Sequence, residues 1–154
     1  VIKALLAAHP YEEPAFDLYP LQNSWQQAGA GVIGELETPE TELEFLKRIK
    51  KTFEVGCLKH NKLTGREIQT DALCGGAGAF LMPPAIRNRA DVFITGEIKY
   101  HDYFGHDTDI LLAEIGHYES EQYTKEIFYT IIRDLFPNVE VQQSKINTNP
   151  IKYM

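Results

Sequence analysis

Three apolar runs, each emptying into small or ionisable residues, constrain this chain more than any other feature. Ile68–Cys74 leads into Gly75-Gly76-Ala77-Gly78, Ala90–Thr95 into Gly96-Glu97, and Asp109–Ile115 into Gly116-His117. Short apolar runs bounded by glycine and turn residues read as buried strands. Between and after them lie helical stretches. The clearest carries Tyr123, Ile127, Ile131, Ile132, Leu135 and Phe136 at helical spacing until Pro137 stops it. From residue 31 to 146 the order reads roughly βαββαβαβαβ, which specifies an α/β layered domain with a mostly parallel or mixed sheet. The polar ends of successive parallel strands gather along one edge of such a sheet. Gly75–Gly78, Thr95–His101 and Gly116–Glu121 are therefore expected to be neighbours.

The remaining segments fill in this frame. Val32–Leu36 reads as a strand, and Thr38-Pro39-Glu40-Thr41-Glu42 as a helix start, with a threonine cap, a first-turn proline and early acids. Leu43, Leu46, Ile49 and Phe53 carry that helix, Val55–Lys59 another strand, and Val139, Val141 and Ile146 a last one. Upstream, Val1–Ala8 reads as the end of an amphipathic helix stopped by His9-Pro10. Ala15–Leu21 reads as an edge strand between prolines, and Asn23–Gly31 as a linker. A chain that opens at Val1, already inside an apolar-periodic run, is expected to be a portion of a longer protein.

Charge and cysteine usage narrow the function. A formal net charge of −7 argues against a nucleic-acid binder that works by neutralising phosphates. The basic cluster Lys47, Arg48, Lys50 and Lys51 reads as a solvated helix face. Two cysteines, Cys57 and Cys74, with no pairing pattern suit a reducing, cytoplasmic setting. No apolar run approaches the length of a membrane span.

The chemistry centres on His117 and Glu121. Four residues apart, they share one helical face. An imidazole nitrogen and a carboxylate oxygen form a ligand pair for zinc, iron or manganese. A helix start also favours the neutral imidazole, the form that binds metal. The plainer alternative is an acid placed there by the helix dipole. Glu97 and His101 repeat the spacing after another strand. Glu97 suits either a general base or the outer partner of a metal-bound histidine. The glycines of Gly75–Gly78 allow either a phosphate cradle or a tight strand-to-helix turn.

Four ordered segments carry a resemblance: Ala8-His-Pro-Tyr-Glu-Glu-Pro14, Gly31-Val-Ile-Gly-Glu-Leu36, Ile94-Thr-Gly-Glu-Ile-Lys-Tyr-His-Asp102 and Gly116-His-Tyr-Glu-Ser-Glu121. Together they resemble the Nif-three family (NGG-one-interacting factor three), whose members carry the label GTP cyclohydrolase I type 2 homologue. The resemblance implies a two-lobed α/β protein with a dinuclear site for divalent metal between the lobes, often with an inserted domain like the CutA and PII ferredoxin-like folds. By that resemblance residues 1–28 are the final helix and strand of the insert, and residues 31–154 the C-terminal lobe. His117 and Glu121 are then metal ligands, and Thr95, Glu97 and His101 line the same cleft, with Glu97 and His101 as proton-transfer candidates. The resemblance further implies two metal ions per intact subunit, a metal-dependent hydrolase acting on a small molecule, and a ring-like homo-oligomer. A non-catalytic regulatory or interaction module is the alternative. The family's adjacent histidine pair has no counterpart here, so half of the implied ligand set lies elsewhere.

Overall fold

In the computed structural model, residues 1–20 and 28–154 are described. Five strands form one mixed sheet in the order β1-β3-β4-β5-β2: β1 (Val32–Thr41), β2 (Lys59–His60), β3 (Glu67–Cys74), β4 (Val92–Thr95) and β5 (Leu111–Glu114). The three central strands are parallel, and β1 and β2 close the edges antiparallel. These central strands are the three apolar runs. Strands covered on both faces need no polar alternation, which is why they read as continuous apolar stretches.

Alternate residues serve two cores. Val92, Ile94, Leu111, Ala113 and Ile115 pack with Phe45, Leu46 and Ile49 of helix α2 (Glu42–Thr52). Ala72, Phe93, Ile110 and Leu112 pack with Met82 and Ala85 of α3 (Met82–Arg87). The pleat thus hands one set of side chains to each face. Helix α3 follows a 3-10 turn, Gly78–Leu81, and takes its two prolines in the first turn, where no donor is lost.

Several elements depart from the expected pattern. The start of α2 is capped by Thr41, not Thr38, because Thr41 and Glu44 form a reciprocal capping box. Pro39 instead sits within β1, an edge strand that tolerates it, beside a register shift between Glu35 and Glu40. Val55–Lys59 shrinks to the two-residue β2. No ladder forms at residues 15–20, so the strand expected at Ala15–Leu21 is absent there. Pro14 and Pro20 remove donors, and among the described residues no neighbouring strand supplies partners. Residues 21–27, with the end of that expected strand and most of the expected linker, lie outside the described residues. The last strand, expected at Val139–Ile146, is an extended tail without pairing.

Helix α1 (Ile2–Ala8), the expected helix end, buries none of its residues. The same holds for α5 (Thr124–Leu135), the most strongly amphipathic stretch of the sequence. Ile127, Phe128, Ile131 and Leu135 of its apolar face are all exposed. No helix among the described residues is long and apolar enough to cross a membrane.

Asn61 holds the short β2 edge to the body. Its amide donates to the carbonyls of Ile110 (3.0 Å) and His106 (3.3 Å), and its oxygen accepts the Leu112 N–H (2.8 Å). Leucine at this buried position takes the Asn61 partner from the Ile110 carbonyl and the Leu112 N–H. We expect Asn61→Leu to cost about 2–4 kcal/mol in urea unfolding, whereas a loss under about 0.5 kcal/mol would show that the bridge is dispensable. Beside it, the buried Glu114 carboxylate pairs with the Lys59 ammonium and accepts from Tyr103 (2.8 Å). Burial, and then that carboxylate, pushes the Tyr103 phenol well above its usual range.

Candidate metal centre

The ends of β3, β4 and β5 deliver their loops to one point. The Gly76 carbonyl accepts the Glu97 N–H (3.1 Å) and the Thr95 hydroxyl (3.2 Å), and the Gly96 carbonyl accepts the Gly116 N–H (3.1 Å). Ser120 joins the first loop to the last: its hydroxyl accepts the Gly76 N–H (2.9 Å) and donates to the His117 carbonyl (2.8 Å). The three glycine-bounded turns are therefore neighbours, as the strand pattern implied.

The loop approach is very close. Gly76 has φ +62°, and a Cβ there would lie 2.5 Å from a Glu121 carboxylate oxygen. A Cβ on Gly96 would lie 2.6 Å from the Gly76 carbonyl oxygen and 2.9 Å from the Cα of His117. Only glycine allows the two loops to meet beside His117.

His117 opens the short helix α4 (His117–Glu121), which places the imidazole over Glu121 one turn on. Nε2 lies 3.3 Å from Glu121 Oε2, and Nδ1 lies 2.9 Å from Glu97 Oε1. One imidazole is thus flanked by two carboxylates. A neutral ring that donates from Nδ1 to Glu97 turns the Nε2 lone pair toward Glu121. Two electron-rich groups then face each other, and a cation between them relieves the repulsion, either a proton or a metal ion.

The spacing fits a metal. Donors about 2.1 Å from a tetrahedral zinc ion lie about 3.4 Å from each other. Glu97 stands where the outer partner of a metal-bound histidine belongs, fixing the tautomer that leaves Nε2 free. Among the described residues no cluster of three or more His, Cys, Asp or Glu side chains is placed to hold an ion. The donor set fits a divalent metal but is incomplete.

His117 and Glu121 line a cleft of about 630 Å³ whose opposite wall is the tail, through Ser144, Thr148 and Asn149. The tail is pinned beside them, since Asn149 Nδ2 donates to the buried Glu119 (3.1 Å). Glu97 also borders a second cleft of about 580 Å³, and that is where His101 lies. His101 is not on the His117 cleft. It belongs to the 3-10 turn Tyr100–Tyr103, edge-on to Tyr100. Thr95 is fully buried and holds the Gly76–Gly78 loop, its oxygen accepting the Gly78 N–H (3.0 Å). Ser120 and the tail stand beside His117 although sequence patterning did not single them out. Ser120 at least lies inside the Gly116–Glu121 motif.

Comparison with known proteins settles the family. Residues 4–150 match the profile of Duf34/NIF3 (NGG1p interacting factor 3). The chain belongs to the NIF3 family. A GTP cyclohydrolase 1 type 2 homolog of Halalkalibacterium halodurans is 35% identical over 160 residues, covering 100% of this chain and 42% of the relative. A protein of the same name from Staphylococcus aureus is 32% identical and covers 95% and 41%. This NIF3 chain therefore spans about two fifths of the length of those relatives. Its fold matches the crystal structure of a Staphylococcus aureus protein with a TM-score of 0.79 at 30% identity, over 99% of this chain and 45% of that one. It also matches a Bacillus cereus protein related to NIF3, with a TM-score of 0.69 at 29% identity, over 99% and 44%.

Proposed function

We propose that His117 and Glu121 are ligands in a divalent-metal centre of a NIF3-family protein that acts as a metal-dependent hydrolase. The observation that carries this reading is the imidazole held between two carboxylates, with a metal-sized separation on its Nε2 side. Residues 1–28 are then the end of an inserted domain and residues 31–154 the C-terminal lobe. The remaining ligands, and the second ion, belong to the lobe outside this span. The intact protein is then a homo-oligomer acting on a small molecule.

An ion held between Nε2 and Glu121 would supply Lewis acidity and lower the pKa of a coordinated water. The residues of the chain do the rest. Glu97 holds the His117 ring and, through its free oxygen, can accept a proton at the mouth of the second cleft. His101, which shares the second cleft with Glu97, would return a proton to a leaving group.

The same donor pair also suits a second reading, a non-catalytic metal-binding regulatory or oligomeric module. Turnover separates the two. The intact protein, loaded with zinc or manganese, is assayed against GTP and simpler phosphate esters. We expect hydrolysis that a chelator abolishes and that Glu97→Gln lowers by about a hundredfold. No turnover dependent on both metal and Glu97 would leave the non-catalytic reading standing.

A further inference from the structure

The tail that walls the His117 cleft is tied to the body at few points. From Glu140 onward its backbone forms neither helix nor ladder, and most of its side chains are exposed. Among the described residues, its one hydrogen bond to the body runs from Asn149 Nδ2 to Glu119 Oε1, at 3.1 Å. The others close turns within the tail, such as the Asn149 N–H on Asn147 Oδ1 (2.8 Å) and the Ile151 N–H on Asn149 Oδ1 (3.0 Å). Further on, the Tyr153 ring packs on Gly56, where an added Cβ would lie 3.2 Å from Cδ2.

Glu119 lies midway between His117 and Glu121, about 200° around α4 from the histidine. The tail therefore passes from the face of α4 that carries the metal pair, where Ser144 and Thr148 line the cleft, to the face that carries Glu119. On that face the latch is half used. Glu119 Oε1 holds Asn149, whereas Oε2 is buried without a partner. An unpaired carboxylate oxygen at a buried position is costly. A donor stands beside it, since a Cβ added to Gly116 would lie 2.2 Å from Oε2 and 3.4 Å from the Tyr153 hydroxyl. Burial first, and the Glu119 charge second, push the Tyr153 phenol above its usual range.

We propose that residues 144–153 are a strap that opens and closes over the His117 cleft, and that Glu119 is its latch, taking Asn149 on one oxygen and Tyr153 on the other. The latch needs no metal. That the strap gates an ion rests on the metal-centre reading.

The test is amide hydrogen exchange of the intact protein, read by mass spectrometry over residues 144–153 and over β4 and β5. Glu119→Ala removes the latch and is expected to raise exchange in the tail about tenfold, with both strands unchanged. Tyr153→Phe keeps the ring on Gly56 and loses only the hydroxyl, and is expected to raise tail exchange about threefold. It decides the matter if Glu119→Ala loosens the strands as well. Stopped-flow capture and release of zinc is the second arm. A strap that does not touch the ion slows entry and exit alike. Both rates are therefore expected to rise about threefold or more in the variants, with the dissociation constant nearly unchanged. Wild-type tail exchange in Tyr153→Phe overturns the latch, and unchanged zinc rates in a loosened tail overturn the gate. If the wild-type protein binds no zinc, the metal reading fails and tail exchange alone decides the strap.

Discussion

His117→Ala is expected to lower zinc affinity by about a hundredfold or more, read by competition with a chromophoric chelator at constant pH. The estimate follows from what the imidazole does. It is the one imidazole among the described residues that line the cleft, and Glu97 holds it in the tautomer that leaves Nε2 free. Loss of an outer partner alone costs 10–100-fold in metal affinity, and loss of the ligand itself should cost at least as much. His117 is not part of either core cluster, so the variant should fold. His101→Ala serves as the contrast. It lies on the other cleft and should leave affinity unchanged. Equal affinity in wild type and His117→Ala would sink the ligand assignment, and equal losses in both histidine variants would place the ion elsewhere.

Gly96→Ala is expected to destabilise the chain by about 3 kcal/mol. Two of the atoms it would meet are backbone: the Gly76 carbonyl oxygen at 2.6 Å and the His117 Cα at 2.9 Å. The third, Ser120 Oγ at 2.8 Å, already bridges Gly76 and His117. Relief therefore requires the β3 and β5 loops to part, which separates His117 from Glu121's neighbours as well as loosening the fold. Gly75→Ala provides the internal control. Its added Cβ would meet nothing closer than 3.7 Å, and the backbone is not in the left-handed region. That variant should stay within about 0.5 kcal/mol of wild type. Urea unfolding of the two side by side decides the matter. Similar losses in both would mean that close loop approach is not what glycine provides at position 96.

The central sheet and the meeting of its three loops were legible because burial on both faces writes itself as an uninterrupted apolar run. The i,i+4 relation of His117 and Glu121 was legible for a similar reason, since helical geometry is local. What escaped was whatever depends on a partner distant in sequence. Thr38 and Thr41 look alike as caps until Glu44 is seen to close a box with the second. Ala15–Leu21 has strand-like alternation, but alternation does not supply a neighbouring strand. Asn61 and Ser120 carry no period at all, and their roles appear only when the groups they bridge are brought together. The same limit applies to Glu97 and His101. The family resemblance put them on one cleft with His117, yet His101, after the turn that follows β4, lines the neighbouring cleft, with Glu97 bordering both.

Helix α5 has a consequence for how cooperative this chain can be. A helix of twelve residues is marginal in water by itself, and tertiary burial ordinarily makes up the deficit. This one draws almost nothing from the body it is joined to. It constitutes a separate opening unit, whose local unfolding free energy lies near the bottom of the scale while β4 and β5 share the global value. Whatever covers Ile127, Phe128, Ile131 and Leu135 would therefore do more than hide apolar surface. It would merge two opening units into one, and the stability of the helix would become a measure of that contact.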